Sequence, residues 1–376
     1  MVAIAYLLPA IACLLLHFGF RYGGDWTAYA WIFGCGEATV GLCHWAFMRS
    51  FTSSEEYLGS TVSSIHYEAP WTEVVVRYET RTDSKGRTYT VARRTYVYHP
   101  EKHYFRTTLG SSITTGRAYF ARVRDTWGVA PRHDTWAGPH IRGGVRVGHH
   151  YNFADLPPAC ITDIRYWIPV TEAHRYTNKI RCSNSIFKFE KIEPAEAREH
   201  GLVDYPPIRD YDAPCILSAE VPVPPFADDM FRRFNGGVAP RSQMRLYIIL
   251  FGPERSVGVS ELQRAYWQGG NKNELVVCIG TDASGADVLW ARAFSWADEQ
   301  QLEADLSQWL MKGRKLDWIA LYGWLDTNIA RWKRKEFKDF DYIHVSLPLK
   351  HFLWILAISV AENALALWLT LHLWHQ

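Results

Sequence analysis

The sequence predicts an integral membrane α+β protein, with two transmembrane helices near the N-terminus and one at the C-terminus around a β-rich region and an α/β region. Three observations carry this expectation. Residues 2–20 (VAIAYLLPAIACLLLHFGF), 27–48 (TAYAWIFGCGEATVGLCHWAFM) and 351–374 (HFLWILAISVAENALALWLTLHLW) are nearly uncharged apolar runs. Each is long enough for a hydrocarbon core, which takes roughly 20 residues at 1.5 Å rise. Residues 59–100 are rich in β-branched and aromatic residues around a turn signal, and residues 241–340 alternate apolar strands with helical periodicity.

Taken in order, the first run lacks a basic n-region and a small-x-small cleavage site before Arg21, so it reads as a retained helix rather than a signal peptide. The linker 21–26 (RYGGDW) is short, so the first two runs form a tight antiparallel hairpin. Four polar residues stand out at membrane depth: Glu37, His44, Glu362 and Asn363. Each costs on the order of 1–3 kcal/mol there and turns toward other helices. They define either a proton or ion path in an oligomer or an interhelical hydrogen-bond pair, such as Glu37 with Asn363, that fixes assembly. Three helices per chain are few for a pore, which favours the pair.

Orientation follows from Lys and Arg near the membrane ends. Arg49, Lys333, Arg334, Lys335, Lys338 and Lys350 fall within about 20 residues of a run, and the opposite face has Arg21. The N-terminus and the middle region are therefore expected on the cytoplasmic side of a multi-pass protein, with the 21–26 linker and the C-terminus outside.

Composition narrows the partners. The chain has 376 residues and a formal charge of +2, which gives no global field for nucleic acid. The lipid bilayer and protein partners, or self-association, are the expected contacts. The 17 Trp and 20 Tyr serve in part the membrane interface and in part the core and sheet surfaces of the middle region. Of seven cysteines, Cys160, Cys182, Cys215 and Cys278 lie scattered in the middle with no CxxC pair, the pattern of buried thiols, or of one or two disulfides if the region is extracytoplasmic. No Asn-x-Ser/Thr sequon occurs.

Residues 52–190 read as a β-rich soluble domain. Trp71–Thr82 and Arg87–Tyr98 flank the turn Asp83–Gly86 and predict a long hairpin, roughly 12 residues or about 40 Å per strand. Further strands cover it or it projects as an interaction arm. The segments AYFARVR, IRGGVRV and 163–189 read as further strands. Residues 191–240 are Pro-rich and read as a linker with short helices, including an amphipathic helix over Phe226–Asn235. In 241–348, Met244–Phe251, Glu274–Gly280 and Val288–Phe294 are buried strands and Val259–Gln268 a helix. A further helix capped by Ser295, with Asp298 as its N3 acid, runs to about Met311, and another covers about Leu316–Arg334. Strand–helix–strand order with continuous apolar strands predicts a covered parallel pair.

The run from Met244 to Phe294 places a helix ending in Tyr266-Trp267 before the turn Gly269-Gly-Asn-Lys-Asn-Glu274 and an apolar strand. This order resembles the TPM domain family of thylakoid-lumen and bacterial membrane-anchored proteins, in which a G-x-K-x-N-G-like turn stands at this point; Glu274 departs from it in place of Gly. The resemblance implies a small α/β fold, with acid phosphatase activity or metal binding proposed for some members and complex assembly or repair for others. The segment AHRYTNKIRCSNSIF from Ala173, together with GGNKNE, also resembles a group of bacterial and phage-encoded membrane proteins whose function is uncharacterised.

The turn Gly269, Gly270, Asn271, Lys272, Asn273, Glu274, with Asp282 and Asp298 nearby in sequence, is the leading candidate site. Two glycines admit a close ligand, Lys272 supplies a cation, and the amide and carboxylate oxygens suit a divalent metal. The same residues equally describe a glycine C-cap followed by a polar loop. A second candidate is a transition-metal set from His133, Asp134, His140, His149 and His150, whose spacing matches no known motif; a histidine-rich surface loop is the alternative. His99-Pro-Glu-Lys-His103 belongs to the turn after the hairpin, because Pro100 opposes the helix that would align the two imidazoles. No P-loop, GxGxxG or GxSxG pattern occurs. Three functions remain: a membrane-anchored scaffold or binding protein, a membrane-tethered metal-dependent hydrolase of phosphatase type, and an oligomeric channel or transport component. The first accounts for the most features.

Overall fold

The computed structural model describes residues 2–20, 26–68, 70–128, 132–136, 144–146, 149–155, 157, 160–183, 189–298 and 300–374. In chain order its helices and strands are α1 (Val2–Ala5), α2 (Leu8–Leu14), α3 (Trp26–Phe51), β1 (Ser53–Glu68), β2 (Trp71–Thr82), β3 (Thr88–His99), β4 (Lys102–Thr107), β5 (Ser112–Thr115), α4 (Arg117–Trp127), β6 (Arg132–Trp136), β7 (Gly144–Arg146) and β8 (His149–Asp155). They continue with β9 (Pro169–Thr177), α5 (Lys179–Cys182), α6 (Pro194–Glu199), β10 (Ile216–Ser218), α7 (Pro225–Gly237), β11 (Arg245–Phe251), α8 (Val259–Tyr266), β12 (Glu274–Thr281), β13 (Val288–Ser295), α9 (Gln301–Gly313), α10 (Trp318–Asn328) and α11 (Leu349–Trp374). The chain divides into two compact units: Met1–Glu56 with Arg175–Lys191 and Glu336–Gln376, and Tyr57–His174 with Ile192–Lys335.

The first unit is built on α2, α3 and α11. Within α11, Leu349–His372 is the one segment among the described residues long and apolar enough to cross a membrane by length and composition. The first apolar run is a broken rather than a single helix: α1 stops at Ala5, α2 restarts with Pro9 in its first turn, and Leu15–Gly19 winds as a π-helix. Proline lacks the amide hydrogen that a continuous helix needs at this position. Small residues bring the helices together. A Cβ at Gly36 would fall 2.5 Å from Pro9 Cγ, so α2 and α3 meet through the bare glycine. Ala12, Leu16 and Ile32 form one buried layer with Ala366 and Leu371, and Ala5, Val40 and Ile355 form another.

In the second unit, a sheet of order β5-β4-β1-β8-β6, with β9 also on β1, packs Val62, Ile65, Phe105 and Val170 against α4. The AYFARVR segment, read from sequence as a strand, is this helix. Tyr119, Phe120, Val123 and Trp127 recur at helical spacing and are all buried, and Gly128 closes the helix at φ 64°. Of the other expected strands, 144–146 is β7 and 169–177 is β9. The residues after β9 turn into the short α5 instead of continuing as a strand.

β2 and β3 pair along their full length, Trp71 opposite His99 to Thr82 opposite Thr88, and β7 adds three pairs at Glu73–Val75. Opposed residues share a face. One face carries Val74, Val76, Tyr78, Tyr96 and Tyr98; the other carries Glu73, Arg77, Glu79, Arg81 and Arg93.

The remaining sheet has order β10-β11-β12-β13. β10–β11 and β11–β12 are parallel, and β12–β13 is antiparallel. The parallel pair expected between 244–251 and 274–280 is present and is covered on both faces, which is why these strands are apolar throughout. Leu246, Ile248, Leu250, Leu275, Val277 and Ile279 face α7, α9 and α10, while Tyr247, Ile249, Phe251, Val276 and Cys278 face α6 and α8. Residues 191–240, expected as a linker, belong to this core: β10 extends the sheet, and Phe231 and Phe234 of α7 are 0% exposed. Pro194 and Pro225 mark the N-termini of α6 and α7 rather than a flexible join. Ser295 ends β13 instead of capping a helix. Its hydroxyl engages the Glu303 carboxylate and accepts from the Ala297 amide, so α9 starts at Gln301.

Candidate functional site

The turn after α8 is where the candidate residues can be tested. Gln268, Gly269 and Gly270 all have positive φ (54°, 85° and 76°) and close the helix, with the amide of Gly269 donating to Arg264 O at 2.8 Å and that of Gly270 to Trp267 O at 3.1 Å. A Cβ on Gly270 would lie 3.0 Å from Glu274 Oε2, so the second glycine makes room for the carboxylate of its own turn, not for a ligand. Glu274 is 1% exposed. Its Oε1 accepts from the Tyr205 hydroxyl (2.5 Å) and from Asn271 Nδ2 (2.8 Å), and its Oε2 accepts from the Asn271 amide (2.8 Å). Asn273 is 0% exposed and donates through Nδ2 to Tyr57 O at 2.7 Å. Gly270 and Lys272 are the turn's partly exposed members.

Asp282 and Asp298 do not join this group. Glu274 opens β12 and Asp282 follows its last residue, so about 26 Å of strand lies between them. Asp282 organises the β12–β13 turn, accepting from Ser284 Oγ (2.5 Å) and from the amides of Ala286 (2.8 Å) and Asp287 (2.9 Å). Asp298 is exposed and pairs with Lys335 at 3.8 Å. The hard-cation cradle expected from the turn is thus a buried polar core in which both Glu274 oxygens are committed to protein donors, while the buried Asn273 Oδ1 has no hydrogen-bond partner among the described residues.

That core extends to residues the sequence reading passed over. Arg245, 1% exposed inside the apolar strand β11, donates through Nη1 to Thr171 Oγ1 (2.7 Å) and through Nη2 to Ala213 O (3.1 Å), and lies over the Tyr247 ring at 5.3 Å. Thr171 donates to Asp212 Oδ1 (2.7 Å), and Arg232 Nε donates to Asp212 Oδ2 (2.7 Å). Arg233 donates to the carbonyls of Ile164, Arg165 and Trp167. An arginine opening the apolar run of MRLYIILF was the available signal, because a guanidinium in a covered strand demands buried acceptors.

The electrostatics predict opposite pH effects at the two ends of β12. Burial pushes the Glu274 carboxyl above its usual 4.5, against the Tyr205 and Asn271 hydrogen bonds and the Arg245 charge, which pull it down. The stability that this shift contributes is complete below pH 4.5 and is lost as pH rises through the folded-state value. Asp282 shifts the other way, held down to about 2 by Ser284 and the turn amides, so its contribution is present above pH 3.8 and is lost as pH falls toward 2. In urea titrations across pH, Glu274→Gln should remove the first slope and Asp282→Asn the second.

The other candidates fare unevenly. Asn363 is buried, but its Nδ2 donates to Ser359 O (2.8 Å) and Oγ (3.3 Å) of its own helix, so the expected Glu37–Asn363 pair is replaced by a bond within α11. Its amide lies beside Gly36, where a Cβ would sit 3.4 Å from Asn363 Oδ1. Glu37, His44 and Glu362 are half-buried in the helical unit. Thr135 faces His150, Trp136 faces His149, His133 faces Asn152 and Asp134 faces Tyr151 across the β6–β8 pair, so His133 and Asp134 lie along one strand and His149 and His150 along its neighbour. His140 lies outside the described residues. His103 stands in β4 rather than in a turn, buried at 8% exposure beside Tyr67 and Phe120. Among the described residues no group of three or more His, Cys, Asp or Glu is placed to hold a metal ion, and all seven cysteines are free thiols.

The fold and site define a mixed α/β protein with β-rich sheets and one helix long and apolar enough to span a membrane. No family model, no curated protein and no solved structure matches the chain.

Proposed function

We propose that this chain is a membrane-anchored binding or scaffold protein. Residues 2–20, 27–48 and 351–374 all cross the bilayer, and the N-terminus and the 49–350 region lie on its cytoplasmic side. The outward faces of the helices support the anchor. Leu7, Ile11, Trp31, Leu42, Trp354 and Trp368 are exposed while the packed seams use Ala, Gly and other small residues, the arrangement of helices solvated by lipid. A TPM-like α/β fold for 241–348 is part of the same proposal, supported by the parallel β11–β12 pair joined through α8.

The observation that carries the binding role is the β2–β3 hairpin. Tyr78, Tyr96 and Tyr98 are 73%, 66% and 66% exposed on one face, and the hairpin bears six basic residues against three acidic ones. An exposed aromatic face with a basic surround fits an acidic protein surface. The burial of Asn273 and Glu274 counts against the metal-dependent hydrolase alternative.

The test is photo-crosslinking of the full chain in its native membrane from a probe at Tyr96, with a probe at the exposed Leu289 as control. A discrete adduct from Tyr96 that Tyr78→Ala with Tyr98→Ala removes is the expected result. The same products from both probes would sink the hairpin as the binding surface.

A further inference from the structure

Where α3 ends, the first unit holds an open cavity of about 750 Å³ lined by Trp45, Arg49 and Ser50 of α3, Ser53 and Glu55 of β1, and Arg175 and Thr177 of β9. Its volume is that of a small-molecule site. It carries both signs of charge: Arg175 Nε donates to Glu55 Oε1 at 3.1 Å, and the Arg49 guanidinium lies 5.3 Å from the Trp45 ring centroid.

We propose that this cavity binds a phosphodiester bearing a primary ammonium group, with an ethanolamine phospholipid headgroup as its source. The inference rests on the reading that α3 spans the bilayer, which sets Trp45 and Arg49 at the interface, where tryptophan and basic side chains collect. Arg49 and Arg175 offer fork-shaped donors for phosphate oxygens. Glu55 and the hydroxyls of Ser50, Ser53 and Thr177 accept N–H bonds, and the C-terminal end of α3 favours a cation beside it. A quaternary ammonium has no N–H to give these acceptors, and the Trp45 face that would attract it is already covered by Arg49. A phosphodiester without an amine competes with the Glu55 carboxylate for Arg175 and gives that carboxylate no N–H in return.

The test uses the purified full chain in detergent, with lipid retention read by native mass spectrometry for phosphatidylethanolamine, phosphatidylglycerol and phosphatidylcholine. Retention of the ethanolamine lipid should exceed that of the other two by about tenfold, the worth of one charge-assisted hydrogen bond. Arg49→Ala and Arg175→Ala should each lower retention of all three lipids, whose phosphate is common, and Glu55→Gln should shift the preference toward phosphatidylglycerol. Equal retention of all three lipids, a preference that survives Glu55→Gln, or retention unaffected by both arginine variants would overturn the proposal. Displacement of the lipid by glycerophosphoethanolamine at comparable concentration would overturn the lipid as the source. Alkaline extraction of the same chain from membranes separates the two readings. Release with selectivity intact defeats the anchor alone; retention without selectivity defeats the site alone.

Discussion

Gly59→Ala should destabilise the second unit by about 3 kcal/mol or more, the upper range for overpacking. A Cβ at Gly59 would overlap the Asn235 carbonyl oxygen and lie 2.8 Å from its carbonyl carbon. Both atoms are main chain, so no rotamer change relieves the clash. The approach is reciprocal, since a Cβ at Gly236 would fall 2.8 Å from Ser60 O. Two glycines therefore let β1 of the β-rich sheet lie directly on α7 of the α/β core, and this contact helps make one unit of two sequence regions. Gly323→Ala is the control. Gly323 lies exposed within α10 with open space at its Cβ position, and alanine there should stabilise by about 0.5–1 kcal/mol through helix propensity. Thermal unfolding of the three proteins checks both signs, and a Gly59→Ala protein as stable as the parent would remove the close approach from the account.

Arg245→Met should cost about 2–4 kcal/mol. The guanidinium joins Thr171 and Ala213 O and stacks over Tyr247, and its removal leaves the Ala213 carbonyl without that donor and Glu274 without the nearby positive charge. Arg245→Lys should lose most of the same stability, because one ammonium cannot reproduce the two-armed bond to Thr171 and Ala213. Unfolding midpoints with unchanged urea dependence would read the loss directly. If the methionine variant is as stable as wild type, the buried network is only tolerated, which is known for buried ionic groups.

These two sites also mark how far the sequence can be read. The α11 run, the β2–β3 hairpin about Asp83–Gly86 and the three strands 245–251, 274–281 and 288–295 are legible because each depends on local composition or on a turn within reach. What escapes is long-range. The AYFARVR segment carries a strand-like composition, and only the burial of Tyr119, Val123 and Trp127 against β1 and β4 makes it a helix. The prolines of 191–240 resemble a linker until α7 is seen packed under β11. The Gly269–Glu274 turn looked like a ligand site because its oxygens were counted as free. Tyr205, 69 residues away in the chain, and Asn271 take up both oxygens of Glu274, and no local pattern announces that pairing.

The direct measurement of the membrane anchor is alkaline carbonate extraction of the full chain from its native membranes, followed by protease treatment of intact cells and of inverted vesicles. The chain should stay in the membrane pellet, with the 49–350 region cleaved only in the inverted vesicles. Release into the alkaline supernatant would contradict the membrane anchor, and cleavage of that region in intact cells would contradict its cytoplasmic side.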